Sequence, residues 1–126
     1  MAKYIDGFLL VVPKDKVEVY KKMAEEGREA WMRHGALAYF ECKGDDLETK
    51  EMGGMKALPF TELTKANENE TVWFSYIVYE SKQHRDEVNA KVMAEMTEKH
   101  KDEKEFNMPF EMKRMSYGGF SVEVEG

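Results

Sequence analysis

Apolar and polar positions alternate along the chain in a way that predicts four β-strands. The first predicted strand is rich in β-branched and aromatic residues and stops at Pro13. The third has the strongest strand pattern in the sequence, and Gly118 and Gly119 interrupt the fourth. The four predicted strands cover residues 4–12, 36–42, 71–79 and 112–124.

Between these strands, apolar residues recur at spacings of three and four, which predicts two amphipathic helices. Asp15 is expected to cap the first helix, which runs to about His34 and ends at Gly35. Ser81 is expected to cap the second, which runs to about His100. The inner face of the second helix is predicted to consist of Val88, Val92, Met93 and Met96.

The order β-α-β-β-α-β predicts an α+β fold of the ferredoxin-like class. In this fold a four-stranded antiparallel sheet carries two helices on one face, and residues 1–126 would form a single domain. Residues 43–69 show no sustained periodicity and form either a long loop or an arm with a short element of its own. Residues 101–109 are expected to be a polar connection.

Both faces of the central strands are apolar, and this predicts a homodimer. In the first strand Phe8 and Leu10 point to one face, while Leu9 and Val11 point to the other. Two helices can cover only one face, and the other would expose more apolar surface than soluble monomers usually tolerate. A second copy across a two-fold axis is the commonest cover. The loop of residues 43–69 is the alternative cover, which its charge disfavours.

The composition of the chain limits the classes of partner that the protein is expected to bind. The formal net charge of −6 is spread without a basic cluster, which disfavours nucleic acid as a partner. The longest apolar run, residues 8–12, is too short to span a membrane, and the N-terminus does not resemble a signal peptide.

The single cysteine, Cys42, allows no internal disulfide and is expected to be a buried, inert thiol. A cytoplasmic location follows as the default.

The three histidines, His34, His84 and His100, fall on different elements without metal-ligand spacing. His100 sits among charged residues, whereas a haem ligand needs a shielded apolar pocket. The sequence therefore predicts no haem, no tightly bound metal and no other cofactor.

Charged residues inside predicted strands are the candidates for chemistry, because a buried charge is costly unless it is paired. They are Asp6 in the first strand, Glu41 in the second, and Lys113 and Arg114 in the fourth. They form either a polar cluster in a pocket, where Arg114 holds a carboxylate or enolate, or rim charges and structural ion pairs. The sequence alone leaves both interpretations open.

Several short segments resemble the YbaA-like family of bacterial proteins, over nearly the whole chain and in the same order. The most specific is Lys113-Arg114-Met115-Ser116-Tyr117-Gly118-Gly119-Phe120; the others are Asp6-Gly7-Phe8, Gly35-Ala36-Leu37, Glu41-Cys42, Phe74-Ser75, Ser81-Lys82, Arg85-Asp86 and Met108-Pro109-Phe110. The resemblance implies a dimeric α/β-barrel fold and carries no established activity with it. The chain departs from the family at Lys43, at residues 47–50 and in the loop of residues 50–63.

The leading hypothesis is a dimeric α/β-barrel protein that binds a small organic molecule. Its pocket would lie between sheet and helices, lined by aromatic residues and methionines, with Asp6, Glu41, Arg114 and Tyr117 as polar anchors. By analogy with the superfamily, a second hypothesis is a cofactor-free monooxygenase or an isomerase acting on an enolisable small molecule. A third is a structural or regulatory dimer without a ligand.

Overall fold

A computed structural model describes residues 2–103 and 108–126 and contains one four-stranded sheet. All neighbouring strands are antiparallel, in the order β2-β3-β1-β4, so the predicted α+β ferredoxin-like fold is confirmed. The elements are β1 (Tyr4–Pro13), α1 (Val17–Arg33), β2 (Ala38–Lys43), α2 (Phe60–Thr64), β3 (Glu70–Tyr79), α3 (Lys82–Lys99) and β4 (Ser116–Ser121).

The helix ends agree with the sequence at three of four predicted positions, since α3 also ends where predicted, with His100 as its last flanking residue. Gly35 ends α1 with a φ of 111°, a backbone conformation that favours glycine. The Ser81 hydroxyl caps α3 by accepting a hydrogen bond from the His84 backbone N–H at 3.1 Å. The prediction for Asp15 is wrong. A 3₁₀ turn at Lys14–Lys16 precedes α1, and no side-chain hydrogen bond caps that helix.

The core lies between the sheet and the two long helices. The residues of β1 and β3 that point to this side alternate along the strands, so that Leu10 lies opposite Trp73. Val88 and Val92 of α3 are buried there and Met96 is partly buried, as predicted. Met93 is 51% exposed, so its predicted place on the inner face is wrong.

The other sheet face carries no long helix and is only partly covered. Val11 and Val72 are buried at one end of it, where the segment after β2 passes. Phe40 and Phe74 on the same face are 47% and 48% exposed. Cys42 follows Glu41 and is exposed, because Glu41 points toward the helices and alternation turns Cys42 away from them. The expected burial of this thiol is therefore wrong.

Two predicted loops and the last strand need refinement. The stretch of residues 43–69 is an arm with short elements, since it contains α2 and a bridge between Met52 and Met55. Strand β4 begins only at Ser116, and a 3₁₀ turn at Met112–Arg114 precedes it. Arg114 therefore lies in a turn and not in the predicted strand. Of the predicted polar connection, residues 104–107 lie outside the described residues.

Within the described residues, no helix is long and apolar enough to cross a bilayer.

Candidate functional site

A cavity of about 290 Å³ lies between α1, the sheet and the C-terminal end of α3. Its walls are mostly aromatic and thioether side chains, which is the lining predicted from the sequence. The aromatic residues include Phe8, Tyr20, Trp31, Tyr39 and Phe110, and the methionines are Met23, Met96 and Met115.

The Glu41 carboxylate is the polar centre of this cavity. Its Oε2 accepts hydrogen bonds from the Tyr20 hydroxyl at 2.7 Å and from the Ser75 hydroxyl at 2.6 Å. Its Oε1 accepts a hydrogen bond from the Tyr39 hydroxyl at 3.0 Å. Strand pairing places these groups together, because Glu41 lies opposite Ser75 on the helix-covered side. The carboxylate is thus held in one orientation by donors from three elements.

The two tyrosines remain donors over the whole physiological pH range. Burial raises the pKa of the Tyr20 hydroxyl, and the negative charge of Glu41 raises it further. The pKa of the Tyr39 hydroxyl is raised for the same two reasons, in the same order. Both hydroxyl groups therefore stay protonated and donate their hydrogen bonds to the Glu41 carboxylate.

A glycine inside α1 makes room for this arrangement. A Cβ at Gly27 would lie 2.9 Å from the Tyr39 hydroxyl oxygen, which is closer than a carbon can approach without a shift. Glycine in a helix interior costs about 1 kcal/mol relative to alanine, so its presence here is consistent with a packing requirement. Gly27 belongs to the apolar stripe of α1, and that position was the sequence's only sign of this role.

Charged side chains lie at the cavity wall formed by the middle of α1 and the C-terminal end of α3. The Glu26 carboxylate lies 2.9 Å from His100 Nε2 and 3.0 Å from Lys99 Nζ, and His100 Nδ1 lies 2.8 Å from Glu103. Hydrogen bonds to Glu103 and Glu26 raise the pKa of His100, and those from Lys99 and His100 lower the pKa of Glu26. His100 thus connects α3 to α1 beside the cavity.

Asp6 lies on the same side of the sheet but outside this cavity. It is 4% exposed, and its Oδ1 accepts a hydrogen bond from Arg85 at 2.7 Å. The Asn89 amide donates to Oδ2 at 3.5 Å, and Asn89 in turn accepts hydrogen bonds from Trp31 and Tyr79. This network ties β1 to α3 and α1, so Asp6 is a member of a structural ion pair.

Arg114 and Tyr117 also lie away from Glu41. The Arg114 guanidinium forms a salt bridge with Glu70 and donates to the backbone oxygens of Thr64 and Lys65 at 3.3 and 3.1 Å. It therefore joins the turn before β4 to the end of α2. Tyr117 is 71% exposed and stacks on Phe8 with ring centroids 5.7 Å apart.

Of the four predicted ligand anchors, the structure places only Glu41 in the cavity wall, with Tyr117 one side chain away. A ligand-binding role for the four stays a prediction. Tyr20 and Ser75 were missed as polar groups of the site because Glu41 lies 21 and 34 positions away in sequence. Tyr39 was also missed, although it is two positions from Glu41 in the same strand and alternation could have placed both on one face. In residues 2–103 and 108–126, no three His, Cys, Asp or Glu side chains are grouped to hold a metal ion.

The fold and the cavity define a ferredoxin-like α+β protein with an apolar chamber between its two layers. A solved structure of the same fold, described as a dimeric ferredoxin-like protein from an uncultured marine organism, matches with a TM-score of 0.57 at 12% identity. The match covers 100% of this chain and 98% of that one.

The sequence comparisons show the family. The chain belongs to the family described as "Protein of unknown function (DUF1428)", whose sequence profile matches residues 3–112. It is 42% identical over 123 residues to the uncharacterized protein YbaA of Escherichia coli strain K12 and of Shigella flexneri, with 98% of each chain covered. The resemblance seen in the sequence is therefore confirmed.

Proposed function

We propose that this protein binds a small, largely apolar organic molecule in the cavity around Glu41. The observation that supports this most directly is the Glu41 carboxylate, which is oriented by three hydroxyl donors in a mostly aromatic and thioether wall. Small-molecule sites have this composition, since apolar walls supply affinity and a few fixed polar groups supply orientation. The volume of about 290 Å³ lies near the lower end of such sites.

Proton transfer is a second candidate function, because a carboxylate facing an apolar cavity can act as a general base. An isomerase acting on an enolisable substrate would also need a group that stabilises the enolate oxygen. The sequence offered Arg114 for that task, but the Arg114 guanidinium binds Glu70 outside the cavity. Binding without chemistry is accordingly the function that the geometry favours.

Native mass spectrometry of protein purified from its natural host tests the binding proposal. We expect an adduct of one small molecule that is retained under gentle conditions and lost on denaturation. Glu41→Gln should reduce the adduct, whereas Glu123→Gln, which neutralises an exposed carboxylate away from the cavity, should leave it unchanged. The proposal would be contradicted if the wild type showed only the mass of the protein alone and no compound of a fragment library bound to it.

We further propose that two copies associate through the sheet face that lacks long helices. The exposed rings of Phe40 and Phe74 flank the half-buried ring of Tyr76 there, with ring centroids 4.9 and 5.7 Å from it, and the three form an aromatic patch. A patch of this kind is typical of an interface. The protein of the same fold from the uncultured marine organism is described as dimeric, which supports association into a dimer.

Sedimentation velocity at micromolar concentration tests the dimer with two matched variants. Phe74→Glu places a charge on the aromatic patch and should yield a monomer. Val19→Glu places the same charge on a similarly exposed apolar residue of α1 and should leave the dimer intact. A wild-type monomer of 14.7 kDa, or equal behaviour of both variants, would contradict association through this face.

A cytoplasmic location is also proposed. The chain has one cysteine, and its thiol is exposed and free, which suits a reducing compartment. Fractionation of the producing cell tests it, and recovery outside the cytoplasm would contradict it.

A further inference from the structure

The charge of Glu41 is balanced differently from that of the other carboxylates inside the fold. Asp6 is paired with Arg85, and Glu70 is paired with Arg114. In the part of the chain that the structure describes, Glu41 forms no salt bridge with Lys, Arg or His, and its hydrogen-bond donors are all neutral hydroxyls. A carboxylate in a partly buried, apolar setting is costly without a cation nearby.

The hydrogen bonds to Glu41 also leave room for one more donor. A carboxylate offers about four acceptor positions, two on each oxygen. Oε2 uses both of its positions, for Tyr20 and Ser75, while Oε1 uses one, for Tyr39. One acceptor position on Oε1 therefore remains, on a residue that lines the cavity. A donor carried by a bound molecule can occupy it.

Most of the surrounding wall suits a positive charge, and the basic group that also lines it, His100, is paired with the carboxylates of Glu26 and Glu103. Tyr20, Trp31 and Tyr39 line the same cavity, and aromatic faces attract organic cations. With burial, such contacts strengthen, since water no longer screens them. The protein's net charge of −6 would also attract a cation toward the site.

We propose that the molecule bound at Glu41 is an organic ammonium ion, that is, a protonated amine on a small apolar body. The ammonium group donates a hydrogen bond to Glu41 Oε1 and neutralises its charge, while the apolar body fills the aromatic and thioether walls. This inference rests on the proposed binding function and adds the chemical class of the ligand.

Titration calorimetry at neutral pH with three probes of similar size tests the inference. Phenethylamine is a cation, 2-phenylethanol is neutral and phenylacetate is an anion. We expect phenethylamine to bind at least about tenfold more tightly than 2-phenylethanol, because hydrogen bonds between charged partners contribute more than neutral ones. Phenylacetate should bind most weakly. Glu41→Gln should remove the preference for the amine, and Glu123→Gln should preserve it.

The outcomes separate the ligand class from the binding function. Equal or tighter binding of the alcohol or the acid, or a preference for the amine that survives Glu41→Gln, overturns the ammonium assignment and leaves the pocket in place. The ammonium assignment is also overturned if the molecule that the protein retains from its natural host has no basic nitrogen. Absence of binding by every probe, with no retained molecule, overturns both proposals. If Glu41→Gln does not fold, the ranking of the three probes on the wild type decides.

Discussion

Asp6 and Glu41 are both carboxylates on the helix-covered side of one sheet, yet their surroundings differ. Asp6 lies against the Arg85 guanidinium, so its charge is neutralised by the protein itself. Glu41 lies among three neutral hydroxyls beside a cavity. Asp6 thus connects elements of the fold, whereas Glu41 is left for a partner from outside. The pairing of a buried charge, more than its burial, distinguishes a structural group from a binding group.

Isosteric substitutions at the two carboxylates should give the largest contrast. Asp6→Asn removes the buried partner of the Arg85 guanidinium, which is itself 19% exposed and keeps only the exposed Asp86, and should lower the free energy of unfolding by about 2 kcal/mol. Glu41→Gln removes a charge that no cation opposes and keeps an acceptor for the hydroxyls. Its effect should stay within about 1 kcal/mol. Urea denaturation of both variants measures the difference, and equal losses of stability would remove the distinction drawn between them.

Arg114→Ala should have a smaller effect, on stability and not on the cavity. It removes the salt bridge to Glu70 and the hydrogen bonds to the end of α2, at a cost of about 1 kcal/mol. One interpretation of the sequence has Arg114 holding a carboxylate or enolate, and on that interpretation ligand binding would weaken more than folding. Calorimetry with phenethylamine and urea denaturation, run on the same variant, compare the two. Loss of phenethylamine binding at unchanged stability would show that Arg114 takes part in ligand binding and would contradict this prediction.

The smallest expected effect is a pH dependence at His100. Its pKa is raised in the folded state by hydrogen bonds to Glu103 and Glu26, so folding favours the protonated ring. This contribution to stability is fully present below the ordinary histidine pKa of about 6.5 and is lost as the pH rises through the raised value.

Unfolding midpoints measured between about pH 5 and pH 9 report this effect. The wild type should lose stability relative to His100→Gln over the upper part of that range. If the stability of the wild type relative to His100→Gln instead increased with pH, the result would contradict the contacts described for His100.

The fold was predictable from the sequence because its determinants are local. Alternation in β1 and β3, the Ser81 cap and the Gly35 stop are each visible within a few residues. The prediction that Asp15 caps α1 failed because the chain first makes a 3₁₀ turn after Pro13, which moves the start of α1 to Val17. The cap position thus shifts by one residue, from Asp15 to Lys16, and no short pattern encodes a shift of this size.

The site was predictable only in part, because its partners are distant in sequence. Alternation singled out Glu41 as a charge within a strand, but it could not show that Tyr20 and Ser75 would meet it. The same limit applies to Arg114, whose partner Glu70 lies 44 positions away. Ion pairs and hydrogen bonds across elements are set by the packing of the whole domain, and a single sequence does not reveal them.

The two tryptophans provide the most direct test of a ligand site at Glu41. Trp31 lines the cavity and donates its indole N–H to Asn89, while Trp73 lies outside that lining and donates to Thr71. In a titration with phenethylamine followed by ¹H–¹⁵N NMR, the indole signal of Trp31 should shift to saturation, and that of Trp73 should move much less. In Glu41→Gln both signals should stay nearly still. Two unmoved signals in the wild type, or an identical Trp31 shift in Glu41→Gln, would contradict a binding site organised by this carboxylate.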